Sequence, residues 1–235
     1  SFIISHGFLD FFKFKSINQD LPYYIILILS NYFLFKNIPT TVLLYFLYLS
    51  VQHFDNDIIF LVKRYKLGTG YQKINRYGFG SSIFLGTLLC VKNYNFYNNV
   101  IGYLIRNENK ANIVYVLFLI YNLYNYLHSY YYYDRKEKLL AIALINMGYL
   151  LGPFYFILYY LSFVHLPIAM YKLLENHNQR YRMRIVHLFL SLGFIINHNA
   201  RRVLEFNYDD TIAHNILYLG ISVLITHMIF STTIY

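Results

Sequence analysis

The chain has one cysteine, no tryptophan, four prolines and, at 13%, few charged residues. The lone Cys90 excludes a disulfide framework and any Cys-x-x-Cys metal site. No nucleophile motif surrounds it, so a cysteine hydrolase has no support. The eleven glycines follow no period, which excludes a collagen-like chain. P-loop and dinucleotide fingerprints are absent. Gly68-Thr69-Gly70 and Gly78-Phe79-Gly80 read as loop and span-entry glycines. Charge near a quarter is usual for a soluble domain, and this chain has about half of that. No internal repeat and no linker breaks the sequence, so 1–235 reads as a single domain.

What is present is apolar. Of the 235 residues, 57% are hydrophobic and 21% aromatic, with 28 Tyr and 21 Phe. This excludes a disordered chain. The apolar residues fall in long blocks, so the expectation is an all-α, polytopic transmembrane helical bundle of about 7–9 spans. The candidate spans are 1–12, 22–36, 39–62, 78–91, 112–132, 138–152, 154–174, 184–198 and 212–230. Segment 78–91 is short enough to be re-entrant. Gly152-Pro153 breaks one long apolar run, because proline does not continue a helix comfortably. Ser1 already lies in an apolar stretch, with no basic region ahead of it. No signal peptide is read, and the first span is expected to be truncated.

The net charge is +9, yet the basic residues sit in short segments between apolar blocks, which disfavours nucleic-acid binding. Under this layout 14 of the 20 basic residues fall on one side. The positive-inside rule makes that side cytoplasmic and the chain an integral membrane protein. The bias toward Phe, Tyr, Ile, Asn and Lys fits an AT-rich genome. Most of the tyrosines then need no functional explanation.

Nine histidines remain to be explained. His6, His53, His165 and His227 fall inside spans, where an ionisable group needs a reason. Counted along the helices, they lie at one common depth, about 9–14 Å below the basic face. Four imidazoles at one level fit a metal centre. Asp10 and Asp57 follow His6 and His53 by four residues, on the same helix face. Each carboxylate is placed to accept the far ring N–H of its histidine. His128 is a reserve ligand. His177, His187, His198 and His214 read as interfacial polar residues. No two histidines stand within four residues, which disfavours the histidine boxes of membrane di-iron hydroxylases. His214 and His227 are 13 apart, but no second such pair exists for a two-haem cytochrome.

Four motifs, in order, resemble those of the bacteriorhodopsin-related Brp/Blh membrane proteins. Ser5-His6-Gly7-Phe8-Leu9-Asp10 is similar to their His-Gly-x-x-Asp signature. Ser50-Val51-Gln52-His53-Phe54 is similar to Ser-x-x-His-Phe-Gly, and His165-Leu166-Pro167-Ile168 to the start of His-x-Pro-x-His. Thr226-His227-Met228 is similar to a C-terminal Pro-His-Met. The resemblance implies cleavage of β-carotene by O2 at its central double bond, giving retinal. It implies Fe(II) held by His6, His53 and His165, and retinal supply to a rhodopsin partner. A carotenoid would enter from the bilayer into an aromatic-lined tunnel. This chain departs from the pattern at Ala169, which replaces the second His, and at Asp55, which replaces the Gly. Asp57 is a displaced acidic residue, and Thr226 replaces a Pro. His227, or else His128, is the candidate to complete the ligand shell. The alternatives are a carotenoid- or retinoid-binding protein without cleavage and a structural subunit of a membrane complex.

Overall fold

The computed structural model describes residues 17–70, 77–175 and 210–233, and every regular element among them is helical. In chain order these are α1 (Ile17–Asn37), α2 (Pro39–Arg64), α3 (Gly78–Leu89), α4 (Val91–Ile105), α5 (Glu108–Tyr132) and α6 (Arg135–Tyr160). A π-helical turn (Leu161–His165), α7 (Leu166–Glu175) and α8 (Asp210–Thr233) follow.

The helix starts are written locally. Pro39 opens α2, where its missing N–H removes no helical bond. Asn107 caps α5, its side chain accepting the Lys110 N–H at 3.0 Å. Asp134 and Glu137 cap α6 reciprocally. Asp134 Oδ1 accepts the Glu137 N–H at 3.1 Å, and Glu137 Oε2 accepts the Asp134 N–H at 2.9 Å. Asp134 Oδ2 also accepts the Thr69 N–H at 3.0 Å, fastening the loop after α2 to the start of α6. Slight burial raises the Asp134 carboxyl. The N–H groups of Glu137, Thr69 and Lys136 and the Lys136 charge outweigh this and hold it below its usual range. Within α6, Gly152 has φ 74° and ψ 170°, a conformation open to glycine alone, so the helix breaks where Gly152-Pro153 predicts.

The helices group into two units by their internal contacts: Ile38–Tyr160, and Ser1–Asn37 with Leu161–Tyr235. In the first, α3 is buried from Gly78 to Leu88. It packs against α2, α5 and α6. A side chain at Gly80 would strike the Val51 carbonyl of α2, and one at Gly86 the Ile145 carbonyl of α6. Glycine thus lets two helices approach α3 backbone to backbone. The Tyr77 side chain at the α3 N-cap makes no capping bond. Asp55 of α2 caps the helix instead, its Oδ1 accepting the N–H groups of Phe79 at 2.8 Å and Gly80 at 2.9 Å. Full burial pushes the Asp55 carboxyl up to about 7, against the opposing pull of the Gly80 and Phe79 N–H groups.

In the second unit α1 runs antiparallel to α8. The Tyr24 ring meets Phe230 edge-on at 5.5 Å, and Phe35 lies 4.5 Å from Tyr218. Between these contacts Asn31 Nδ2 donates to Thr226 Oγ1 at 3.2 Å. Thr226 Oγ1 in turn donates to the Ser222 carbonyl at 2.9 Å.

The all-helical expectation agrees with this architecture, but the membrane bundle does not. Among the described residues no helix is long and apolar enough to cross a membrane. Length is present: α2 has 26 residues and α5 has 25. Apolar continuity is not. Ser50, Gln52, His53, Asp55, Asn56 and Asp57 crowd one stretch of α2. Asn122, Asn125, His128 and Ser129 interrupt α5, and tyrosine hydroxyls fill much of the rest. Reading Tyr as fully apolar inflated the blocks. The polytopic layout therefore falls, and with it the integral membrane location and the cytoplasmic basic face. Candidate spans 1–12 and 184–198 lie outside the described residues. The outward side of α5 is nonetheless an apolar stripe, with Ile113, Leu117, Ile120, Tyr124, Leu127 and Tyr131 exposed.

Candidate metal centre

Three of the four candidate ligands stand close together. His53, His165 and His227 each offer a ring nitrogen, and these atoms all lie within 4.8 Å of one another. The side chains are shielded, at 9%, 5% and 3% exposure. Imidazole nitrogens that share one ion at ~2.0–2.1 Å lie roughly 3–4 Å apart. The cluster is therefore close enough to hold a metal ion. Three imidazoles, which ligate a metal in their neutral form, are a donor set that suits first-row divalent metals.

Each histidine is carried on a distinct local device. His53 lies mid-way along α2, next to Phe54. The Phe54 carbonyl accepts the Tyr160 hydroxyl at 3.2 Å, and its ring stacks on Phe84 at 5.6 Å. Burial pushes the Tyr160 hydroxyl well above its ordinary value, and the nearby Asp57 and Asp55 charges add to this, so it stays a proton donor. His165 is the last residue of the π turn Leu161–His165. Such turns insert one residue into a helix and recur at functional sites. His227 follows Thr226 on α8, where the Asn31 bond sets the helix position. Thr226 stands where the resemblance expects proline, and its hydroxyl supplies an interhelical bond that proline lacks.

The other candidates divide. His6 and Asp10 lie outside the described residues, as do His177, His187 and His198. Asp57 is buried one turn beyond His53 on α2. His128 lies between Tyr124 and Tyr132, its ring centroid 6.0 and 5.6 Å from theirs. It is not part of the cluster, and neither is His214, which sits edge-on to Tyr218 at 5.9 Å. Ala169 lies on α7, one turn beyond His165. The common-depth argument was framed on membrane crossings and falls with them. The proximity of the three histidines does not need it.

Two features were not anticipated. Asp55 counted only as a departure from a motif, yet it closes α3 beside the cluster-bearing stretch of α2. Its signal was Gly78-Phe79-Gly80, whose small residues leave backbone N–H groups open to a carboxylate. The π turn has no comparable signature, because its five residues Leu-Ser-Phe-Val-His suit an ordinary helix.

No protein-family model, curated protein or solved structure matches the chain.

Proposed function

We propose that the chain is a non-haem iron oxygenase that cleaves β-carotene, or a related carotenoid, at its central double bond with O2 to give retinal. The reading starts from the resemblance of its motifs to the Brp/Blh proteins. The observation that supports it most is that His53, His165 and His227, which stand in three of those motifs, share one small volume. Residues so far apart in sequence have no local reason to meet.

Fe(II) is the proposed ion, because neutral imidazoles suit it and three or four protein ligands leave positions open. The iron, when bound, supplies the redox chemistry by which O2 reacts with an alkene. The chain's own residues hold the ion and shield it from bulk water. Asp57 is proposed to accept the far N–H of the His53 ring and so fix its tautomer. His6 remains the fourth proposed ligand, with Asp10 in the same orienting role. The overall change balances without a reductant: the double bond breaks, and each carbon gains one oxygen atom as an aldehyde. Retinal made in this way would serve a retinal-binding rhodopsin.

The test is co-expression in cells that accumulate β-carotene. Loss of orange colour with appearance of retinal is expected, and His53→Ala abolishes both. Unchanged carotene beside well-expressed protein rejects cleavage. A second reading has one observation in its favour. Ala169 occupies the place one turn past His165 where the resemblance expects a further imidazole. On that reading the chain binds a carotenoid or retinoid without cutting it. It would then purify coloured, with the pigment intact, and Ala169→His would introduce cleavage.

A further inference from the structure

A seam of buried polar side chains runs along the contact of α3 with α5. Three contacts fix its register. The Tyr115 hydroxyl donates to the Leu88 carbonyl at 2.7 Å, the Phe84 and Phe118 rings lie 5.3 Å apart, and Gly78 abuts Ser129. The two helices are therefore antiparallel, and the same register sets Ser81 level with Asn125 and Ser82 near Asn122. Ser81, Ser82, Asn122, Asn125 and Ser129 are all buried. Asn122, Asn125 and Ser129 recur at helical spacing on the α5 face that also carries Tyr115 and Phe118.

Local bonds satisfy part of this seam. The Ser82 hydroxyl donates to the Gly78 carbonyl at 2.8 Å, and Asn122 Nδ2 donates to the Phe118 carbonyl at 2.7 Å. The second bond fixes the Asn122 amide, because the reversed amide would set oxygen against oxygen. Four side-chain atoms of the seam remain without a hydrogen-bond partner among the described residues: Asn122 Oδ1, Asn125 Nδ2, Ser81 Oγ and Ser129 Oγ; the Tyr121 hydroxyl, next to Asn125, is another such atom. Buried polar atoms are satisfied almost without exception, by protein or by ordered water.

We infer that ordered water molecules occupy the α3–α5 seam at Ser81, Asn122 and Asn125 and bridge the two helices. The mixed set of atoms selects water. Asn122 Oδ1 only accepts, Asn125 Nδ2 only donates, and the Ser81 hydroxyl does either. Water satisfies all three at once, with the two to four polar partners that a buried water requires. An alkali cation needs oxygen ligands throughout and is opposed by the Asn125 amide hydrogens. The proposal is independent of the carotenoid reading.

Oxygen-17 magnetic relaxation dispersion of the purified full chain detects long-lived internal water. The unaltered protein should show a dispersion that Asn122→Leu reduces. Equal dispersion in the two proteins overturns the proposal. Thermal melting gives a second readout. If water satisfies Asn122, its replacement by leucine removes made hydrogen bonds, and Tm falls by roughly 3–6 °C. A rise in Tm means that the seam is dry, and overturns the proposal. A Tm that responds to sodium or potassium over choline, with the response lost in Asn122→Leu, replaces water with a cation. Should Asn122→Leu fail to fold, Ser81→Ala removes a single oxygen and serves both measurements, with the same outcomes deciding.

Discussion

Asp55 accepts the backbone N–H of Gly80 at 2.9 Å and so caps a helix to which it does not belong. The donor lies 25 residues further along the chain. One carboxylate thereby joins the cluster-bearing helix α2 to the largely buried helix α3.

That cap should be measurable. Asp55→Ala leaves two buried N–H groups unsatisfied and should cost about 2–4 kcal/mol in chemical denaturation. Asp55→Asn keeps an accepting oxygen and should lose clearly less. Equal, small losses for both variants would remove the cap from the account.

The histidine cluster should bind a divalent metal, and chelation should show it. Removing metal held at about 100 times its Kd costs about 2.7 kcal/mol, or roughly 5–10 °C in Tm. His53→Ala, His165→Ala and His227→Ala should each weaken binding more than about 100-fold, measured as metal content after dialysis. Full retention in any one variant removes that residue from the ligand set.

Close helix approach predicts intolerance at two glycines. Gly80→Ala and Gly86→Ala direct a methyl group at the Val51 and Ile145 carbonyls, which are backbone and cannot turn aside. Each should cost about 3 kcal/mol or more, read from urea unfolding. A loss below about 1 kcal/mol would mean that the helices part easily.

Asp134 gives a pH dependence with a definite sign. Its folded-state carboxyl lies below the ordinary value of 3.8. The stability it adds by being ionised is present above that value and lost as pH falls through the lower folded one. The Tm difference between the unaltered chain and Asp134→Ala should therefore be widest above about pH 5 and narrow toward pH 2. A gap that widens on acidification contradicts the hydrogen bonds assigned to this carboxylate.

Much of the helical layout was legible in the sequence. Segment 39–62 is α2 at Pro39–Arg64, and 112–132 is α5 at Glu108–Tyr132. The break at Gly152-Pro153 is the kink found there. Helix α4 was given no segment of its own, because Lys92, Asn93, Asn95, Asn98 and Asn99 mask its apolar side. That side is real, since Tyr97, Ile101, Leu104 and Ile105 are buried. The membrane layout failed for a related reason: hydrophobic content was counted without asking where polar atoms interrupt it. At the candidate centre, position inside the apolar segments singled out His53, His165 and His227, together with His6, from the nine histidines. The Asp55 cap and the π turn were not legible. The first depends on a distant partner, and the second on a backbone choice that composition does not mark.

Every residue of helix α3 from Gly78 to Leu88 is buried. Its amide protons therefore have no local route to exchange. A terminal turn of α1 or α8 can fray and re-form, but α3 can release its hydrogens only when the helices around it separate. In a hydrogen–deuterium exchange experiment its peptides should be the last to gain mass, at a rate set by opening of the whole Ile38–Tyr160 unit. That slowest signal is a stability gauge built into the chain, readable without label or mutation.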